Sequence, residues 1–166
     1  MISSDFRPTF ILGLLTAHGV DFVVIGGVAA VLHGSPRNTQ DLDICFARDE
    51  ANLTMLGRAL IELKARLRRV EDDVPFVPDA ATLKRIQSLT MVTIAGDFDI
   101  LASPDGAPPY ERLRRNAERF DLGAFAVLVA SIDDLLAMKR AAGREKDLAD
   151  IGELTAIARL RARGVG

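Results

Sequence analysis

The chain has 166 residues and a formal net charge of −2, which suits one domain over residues 1–166 with a substantial core. This charge balance excludes a general electrostatic attraction to nucleic acid or to an anionic membrane. The single cysteine, Cys45, excludes an internal disulfide and fits a reducing compartment. The N-terminal segment lacks the pattern of a signal peptide, and no apolar run has membrane-spanning length. We therefore expect a cytoplasmic protein with no membrane partner.

The first half of the sequence predicts alternating helices and strands. Glycines mark the ends of two helices, and an apolar run leads into the Gly26-Gly27 turn. In chain order we predict a helix over Phe6–His18, a strand over Val20–Ile25, a helix over Val28–His33, a strand over Gln40–Phe46 and an amphipathic helix over Asp49–Leu67.

The second half predicts further strands and a helical C-terminal part. Its elements are a loop over Arg68–Pro78, a helix over Ala80–Ile86, strands over Leu89–Ala95 and Phe98–Ala102, a helix over Tyr110–Asn116, a hairpin within 117–130, a helix capped by Ser131 that runs to Ala142, and a helix over Glu145–Arg161. This order predicts an α/β (α+β) fold: a mixed sheet with flanking helices, a core at about 20–103 and a C-terminal helical segment at about 131–161.

Two carboxylates alternate on the second predicted strand. Asp41 and Asp43 are two residues apart, so both side chains point to the same face of the strand. Carboxylates this close repel each other, and one of them would ordinarily take up a proton. A divalent cation removes that conflict, and hard oxygen ligands suit Mg²⁺. The pair predicts a metal site, in preference to a strand edge that simply faces water.

The glycine turn precedes this pair by a short interval. Gly26 and Gly27 leave the backbone free of side chains, so a ligand can approach closely. The following helix would present free amide groups and the positive end of its dipole, which suit phosphate. A phosphate-binding turn beside a carboxylate metal site is the combination that metal-assisted nucleotidyl or phosphoryl transfer requires.

A third acid is expected from the later strand pair. Asp97 and Asp99 have the same parity, so both could face the side of Asp41 and Asp43. We favour Asp99, because an acid between Phe98 and Ile100 inside an apolar strand needs a partner or a metal. Asp97 follows Gly96, which is ordinary turn chemistry.

These elements together resemble the polymerase-beta-type nucleotidyltransferase superfamily. The pattern appears here as Ile25-Gly26-Gly27, thirteen residues, Asp41-Leu42-Asp43, and later Phe98-Asp99-Ile100-Leu101. Within that superfamily the chain is most similar to small bacterial members related to the AbiEii-type toxins of type IV toxin–antitoxin systems. The segments that carry this similarity are Arg37-Asn38-Thr39-Gln40-Asp41-Leu42-Asp43 and Lys139 followed by Arg144-Glu145-Lys146-Asp147-Leu148-Ala149-Asp150.

The resemblance implies transfer of a nucleoside monophosphate from a nucleoside triphosphate to an acceptor hydroxyl or phosphate. It implies catalytic and Mg²⁺ (or Mn²⁺) ligand roles for Asp41, Asp43 and Asp99. Nucleotide binding would involve the remaining members of the predicted site, namely Gly26, Gly27, Arg37, Thr39 and Lys139. The acceptor would be an RNA or tRNA end, a protein or a small molecule, and a cognate antitoxin would be a partner.

Two of these cations have a second interpretation. Arg37 either holds triphosphate oxygens or forms a salt bridge with an acid such as Asp41 or Asp43. Lys139 either reaches the nucleotide phosphates or pairs with Asp147 or Asp150 at helical spacing. The alternative function for the whole chain is a nucleotide-binding or antitoxin-like protein that keeps the fold without catalysis.

Overall fold

A computed structural model describes residues 5–68 and 76–164. Over these residues the strands form a seven-stranded mixed sheet in the order β3-β4-β5-β2-β1-β7-β6. The β2–β5 and β1–β7 pairs are parallel, and the other neighbours are antiparallel. Helices flank the sheet, so the predicted fold class is confirmed.

Apart from β3, which lies in a segment predicted as helix, the elements follow the predicted order. The helices are α1 (Pro8–Ala17), α2 (Gly26–Leu32), α3 (Glu50–Glu62), α4 (Ala80–Lys84), α5 (Tyr110–Asn116), α6 (Ile132–Ala142) and α7 (Asp147–Ala162). The strands are β1 (Phe22–Ile25), β2 (Asp41–Phe46), β3 (Arg66–Leu67), β4 (Ser88–Thr93), β5 (Gly96–Leu101), β6 (Glu118–Asp121) and β7 (Ala126–Val129).

The sheet buries one face of its central strands. In β2, Leu42 and Ile44 are fully buried, and in β5 so are Phe98 and Ile100. The acids occupy the intervening positions and are only partly buried. Because successive strand residues face opposite sides, the core residues fix which side the acids face.

The predicted helix over Asp49–Leu67 is too long. It ends at Glu62, because Leu63, Lys64 and Ala65 form a Schellman turn with Lys64 in the left-handed region at φ 52°. The amide of Ala65 donates to Leu60 O, and that of Lys64 donates to Ile61 O. The chain then enters β3, which pairs with β4.

One further boundary bears on the site, and one predicted element is not tested. The second helix begins at Gly26 rather than Val28, directly after β1. The predicted loop over Arg68–Pro78 falls mostly on residues 69–75, which lie outside the described residues.

The C-terminal helices pack beside the centre of the sheet. Ala130 donates its amide to Val24 O at 2.9 Å, so α6 starts next to the end of β1. Ser131 caps α6 by accepting from the Asp134 amide, as predicted. Gly143, at φ 61°, ends α6 and turns the chain into α7. Within the described part of the chain, every helix is too short or too polar to span a bilayer.

Candidate active site

The carboxylates of Asp41, Asp43 and Asp99 converge at the centre of the sheet. One oxygen from each lies within 4.8 Å of the others. The parallel pairing of β2 with β5 produces this convergence, because Asp43 lies directly opposite Asp99 in the register. Asp97 lies opposite Asp41, but its side chain is 41% exposed, against 15% for Asp99. Of the two candidate acids on β5, the structure thus brings Asp99 into the cluster.

The clustering changes the acidity of these groups. Burial raises the pKa of Asp43 to about 7, and the nearby charges of Asp41 and Asp99 add to the rise. Burial also raises the pKa of Asp99, although the Arg68 guanidinium opposes that rise. A carboxyl with a pKa near 7 is only half ionised at neutral pH. Full ionisation of the cluster is therefore unfavourable when no cation is bound.

The donor set fits a hard divalent cation. Three carboxylates supply only oxygen ligands, and their spacing allows one ion to touch all three. Burial is the main cause of the raised pKa of Asp43, and the like charges of Asp41 and Asp99, which a bound cation would offset, add to it. Asp41, Asp43 and Asp99 are therefore the residues that would hold Mg²⁺ or Mn²⁺.

The glycine turn borders this cluster. Gly26 adopts φ 70°, and a Cβ at this position would lie 2.2 Å from Asp43 Oδ2. The turn therefore needs glycine for its backbone conformation and for the space that the Asp43 carboxylate occupies. This space was predicted to admit a ligand, but in the structure Asp43 fills part of it.

Gly27 has a similar close neighbour. A Cβ there would lie 2.8 Å from Thr39 Oγ1, and that hydroxyl donates to Asp41 O at 3.2 Å. Thr39 therefore packs the segment before β2 against the start of α2.

The acids and the glycine turn line a pocket of about 500 Å³. The facing side of this pocket carries side chains from α6 and the α6–α7 connection, together with Arg37. Its cationic members are Arg37, Lys139, Arg144 and Lys146. We call Asp41, Asp43 and Asp99 the acidic wall and these four cations the basic wall. The space between the two walls suits a ligand that carries both a cation and anionic groups.

Buried acids of α7 hold most of the basic wall. Lys139 Nζ lies 2.9 Å from Asp150 Oδ2 and 3.2 Å from Asp147 Oδ1. Arg37 pairs with Asp150, so the expected alternative partners Asp41 and Asp43 are wrong for this residue. Of the two interpretations of Lys139, the structure shows the ion pairs with Asp147 and Asp150, and these contacts join α6 to α7 instead of lying along one helix.

Arg144 completes this network. Its Nε lies 2.8 Å from Asp147 Oδ2, and this contact is the main reason why the pKa of Asp147 falls to about 2. The Asp147 side chain is only 1% exposed. These ion pairs therefore differ from the surface pairs expected from the sequence, because at least one partner is buried.

Arg68, which is not among the predicted site residues, contacts the acidic wall from outside the pocket lining. Its Nη2 donates to Asp99 Oδ1 at 2.8 Å, and its Nε lies 3.6 Å from Asp97 Oδ2. The sequence signal was obscured because the segment before Arg68 is predicted as helix, whereas Arg68 directly follows strand β3.

Cys45 lies on the same strand as Asp41 and Asp43 but is buried and outside the pocket. Its thiol donates to Ala102 O at 3.5 Å, and burial raises its pKa to about 11. The thiolate is therefore scarce at neutral pH, and Cys45 is a packed residue rather than a nucleophile.

Comparison with known proteins identifies the fold. No family model and no curated protein matches the sequence. The lincomycin-bound structure of the lincosamide antibiotic adenylyltransferase LnuA is similar with a TM-score of 0.63 and 17% identity, over 92% of this chain and 99% of that one. The chain therefore has the fold of this nucleotidyltransferase.

Two other solved structures show weaker similarity. TM1012 from Thermotoga maritima, a protein named as a nucleotidyltransferase, is similar with a TM-score of 0.46 and 16% identity, over 95% of this chain and 96% of that one. JHP933 from Helicobacter pylori gives 0.48 and 15% identity over 86% of this chain and 62% of that one.

Proposed function

We propose that the protein is a nucleotidyltransferase that uses Mg²⁺ or Mn²⁺. It moves a nucleoside monophosphate from a nucleoside triphosphate to an acceptor hydroxyl or phosphate. The observation that carries this proposal is the convergence of Asp41, Asp43 and Asp99 within 4.8 Å in a pocket whose opposite wall is cationic. The fold shared with LnuA supports the same reaction type.

In this proposal the acidic wall binds the cation and the basic wall binds the triphosphate. Asp41, Asp43 and Asp99 would hold the cation, which when bound supplies charge neutralisation at the transferring phosphate. Lys139 and Arg37 would contact triphosphate oxygens from the other side. Gly26 and Gly27 border the space between the walls, where their backbone would lie beside the phosphates.

The transfer itself exchanges one phosphorus–oxygen bond for another. The acceptor oxygen bonds to the α-phosphorus while the bond to the bridging oxygen breaks, and pyrophosphate leaves. The proton of an acceptor hydroxyl passes to Asp99, which acts as the base. Asp99 suits this role because burial raises its pKa above the ordinary value for a carboxyl.

The acceptor is to be found by experiment among three classes: an RNA end, a protein and a small molecule. The LnuA structure contains lincomycin, which supports the small-molecule class. The resemblance to AbiEii-type proteins supports the other two classes and a cognate antitoxin partner.

Labelling tests the reaction directly. The protein is incubated with each α-³²P-labelled nucleoside triphosphate, Mg²⁺ or Mn²⁺, and either total RNA or a small-molecule-containing lysate. We expect label in one fraction, and none with the Asp41→Asn/Asp43→Asn variant or with a chelator. The absence of label in every fraction from a folded sample would refute the transferase.

Calorimetry separates an enzyme from a non-catalytic nucleotide binder. We expect triphosphate binding with Mg²⁺ and little binding with a chelator, because the acidic wall repels phosphate when no cation is present. The dipole of α2 offsets this repulsion by less than about 1 kcal/mol. Equal affinity in the two buffers would favour the non-catalytic alternative.

A further inference from the structure

Arg68 lies in a row of residues that crosses the sheet to the acidic wall. Its amide donates to Thr90 O at 3.0 Å, Thr90 lies opposite Asp99, and Asp99 lies opposite Asp43. Two strand spacings, about 9–10 Å, separate the backbones of Arg68 and Asp99. An extended arginine side chain covers that distance, so Arg68 reaches over β4 to the third acid.

The guanidinium is anchored at several points. Its Nη2 donates both to Asp99 Oδ1 at 2.8 Å and to Met91 O at 3.1 Å. The Arg68 side chain is 21% exposed and that of Asp99 is 15% exposed. Contact with Asp99 is shorter and better shielded from water than contact with Asp97, so it is the stronger of the two.

This contact affects one oxygen of Asp99 and the charge of the whole cluster. Oδ1 is taken by Arg68, which leaves the second oxygen of that carboxylate for other partners. Three carboxylates exceed the charge of a single divalent ion by one unit, and Arg68 supplies one positive charge. Arg68 thus balances the one negative charge that a single divalent cation leaves unneutralised.

We propose that Arg68 is a positioning residue: its guanidinium binds Asp99 Oδ1 and so orients the other oxygen of Asp99 toward the acceptor, while its positive charge lowers the affinity of the acidic wall for the metal. This inference rests on the proposed transferase function. It goes beyond that function because it assigns a role to a residue outside the pocket lining. The structural alternative is that the ion pair of Arg68 with Asp99 only fastens the segment after β3 to β5.

The test compares Arg68→Gln and Arg68→Lys with the wild type, and with Arg58→Gln, which removes an exposed arginine of α3. Electron paramagnetic resonance measures Mn²⁺ affinity in the nucleotide-free protein, and steady-state kinetics separates kcat from KM. We expect Arg68→Gln to bind Mn²⁺ at least about tenfold more tightly, because a positive charge near the ion is lost. Its kcat should nevertheless fall at least about tenfold, with KM for the triphosphate little changed, because Asp99 is no longer held.

The lysine variant keeps the test decisive if the glutamine variant fails to fold. Lysine retains the charge but lacks the planar set of donors, so we expect Mn²⁺ affinity within about twofold of wild type and a reduced kcat. Wild-type Mn²⁺ affinity in a folded Arg68→Gln protein, or wild-type kcat in Arg68→Lys, would overturn the inference. If the wild type itself neither binds Mn²⁺ nor transfers nucleotide, the proposed function fails instead.

Discussion

The acidic and basic walls of the pocket differ in how their charges are balanced. On the acidic wall, Asp41, Asp43 and Asp99 lie together, and the pKa of Asp43 rises to about 7. On the basic wall, Asp147 is surrounded by Lys139 and Arg144, and its pKa falls to about 2. Burial is the main cause of the rise at Asp43 and like charges add to it, whereas the hydrogen bond from Arg144 is the main cause of the fall at Asp147. Even with Arg68 at Asp99, the acidic wall keeps an excess of negative charge, while the cations of the basic wall are balanced by the α7 acids. The unbalanced wall is the one that calls for a ligand.

The largest difference should appear when an acid of the unbalanced wall is removed. Asp43→Asn should lower transfer by about a thousandfold, yet leave the melting temperature in metal-free buffer at pH 8 unchanged or higher, because it relieves repulsion. Asp105→Asn is the control, since Asp105 is an exposed acid in the same pocket lining. A clear drop in melting temperature for Asp43→Asn would show that Asp43 is a structural acid.

The balanced wall should respond with the opposite sign in stability. Lys139→Met leaves Asp147, which is 1% exposed, with one partner fewer, and should lower the free energy of unfolding by about 3 kcal/mol. Urea unfolding measures this loss. The control is Arg161→Met, which breaks an exposed pair with Glu118 and should cost under about 1 kcal/mol. Equal losses in the two variants would contradict a buried network.

A glycine pair tests the space beside the acidic wall. Gly26→Ala places a Cβ 2.2 Å from Asp43 Oδ2 at a positive φ, so it should cost about 2 kcal/mol of stability and weaken Mn²⁺ binding. Gly152→Ala, within α7 and with open space around it, should instead stabilise by about 0.5–1 kcal/mol. Thermal unfolding and Mn²⁺ titration compare the two variants. Unchanged Mn²⁺ affinity in Gly26→Ala would show that the turn is not needed by the acids.

The smallest effect concerns pH. The pKa of Asp43 is higher in the folded protein, about 7, than its ordinary value of 3.8. The folded state therefore binds a proton that the unfolded state has lost, and this contribution to stability disappears as pH rises from about 4 to 7. We expect a loss of about 1–2 kcal/mol over that range, because water reaches the partly buried group.

Urea unfolding in chelator at pH 5, 6, 7 and 8 measures this slope, and Asp43→Asn should flatten it. Stabilisation by added Mg²⁺ should be larger at pH 8 than at pH 5, because the proton competes with the cation for the carboxylate. A slope shared equally by the wild type and Asp43→Asn would assign the effect to another group.

The sequence predicted the acidic wall better than the basic wall. Alternation within a strand is a local property, so the shared face of Asp41 and Asp43 follows from strand parity, and the pairing of β2 with β5 then brings Asp99 to them. The ion pair between Arg37 and Asp150 joins residues 113 positions apart, and no local pattern specifies which acid a loop arginine meets.

The role of Arg68 was hidden for a different reason. Lys64 adopts a left-handed conformation, at φ 52°, that glycine or asparagine usually signals. Without that signal the predicted helix continues to Leu67, and Arg68 becomes the first residue of the predicted loop over Arg68–Pro78 rather than part of a row of sheet residues that leads to Asp99. A single residue with an uncommon backbone conformation therefore concealed one contact of the site.

The alternation of acids with core residues in β2 has a consequence for insertions and deletions. Suppose that one residue is deleted before Asp41 and that the connection from Gly26 to β2 keeps its length. The register of β2 against its neighbours then shifts by one residue. Such a shift would exchange Asp41 and Asp43 with Leu42 and Ile44, which are fully buried. Charges would then enter the core, and the chain would fail to fold. The packing of Leu42 and Ile44 in the core thus keeps Asp41 and Asp43 on the pocket side of the sheet.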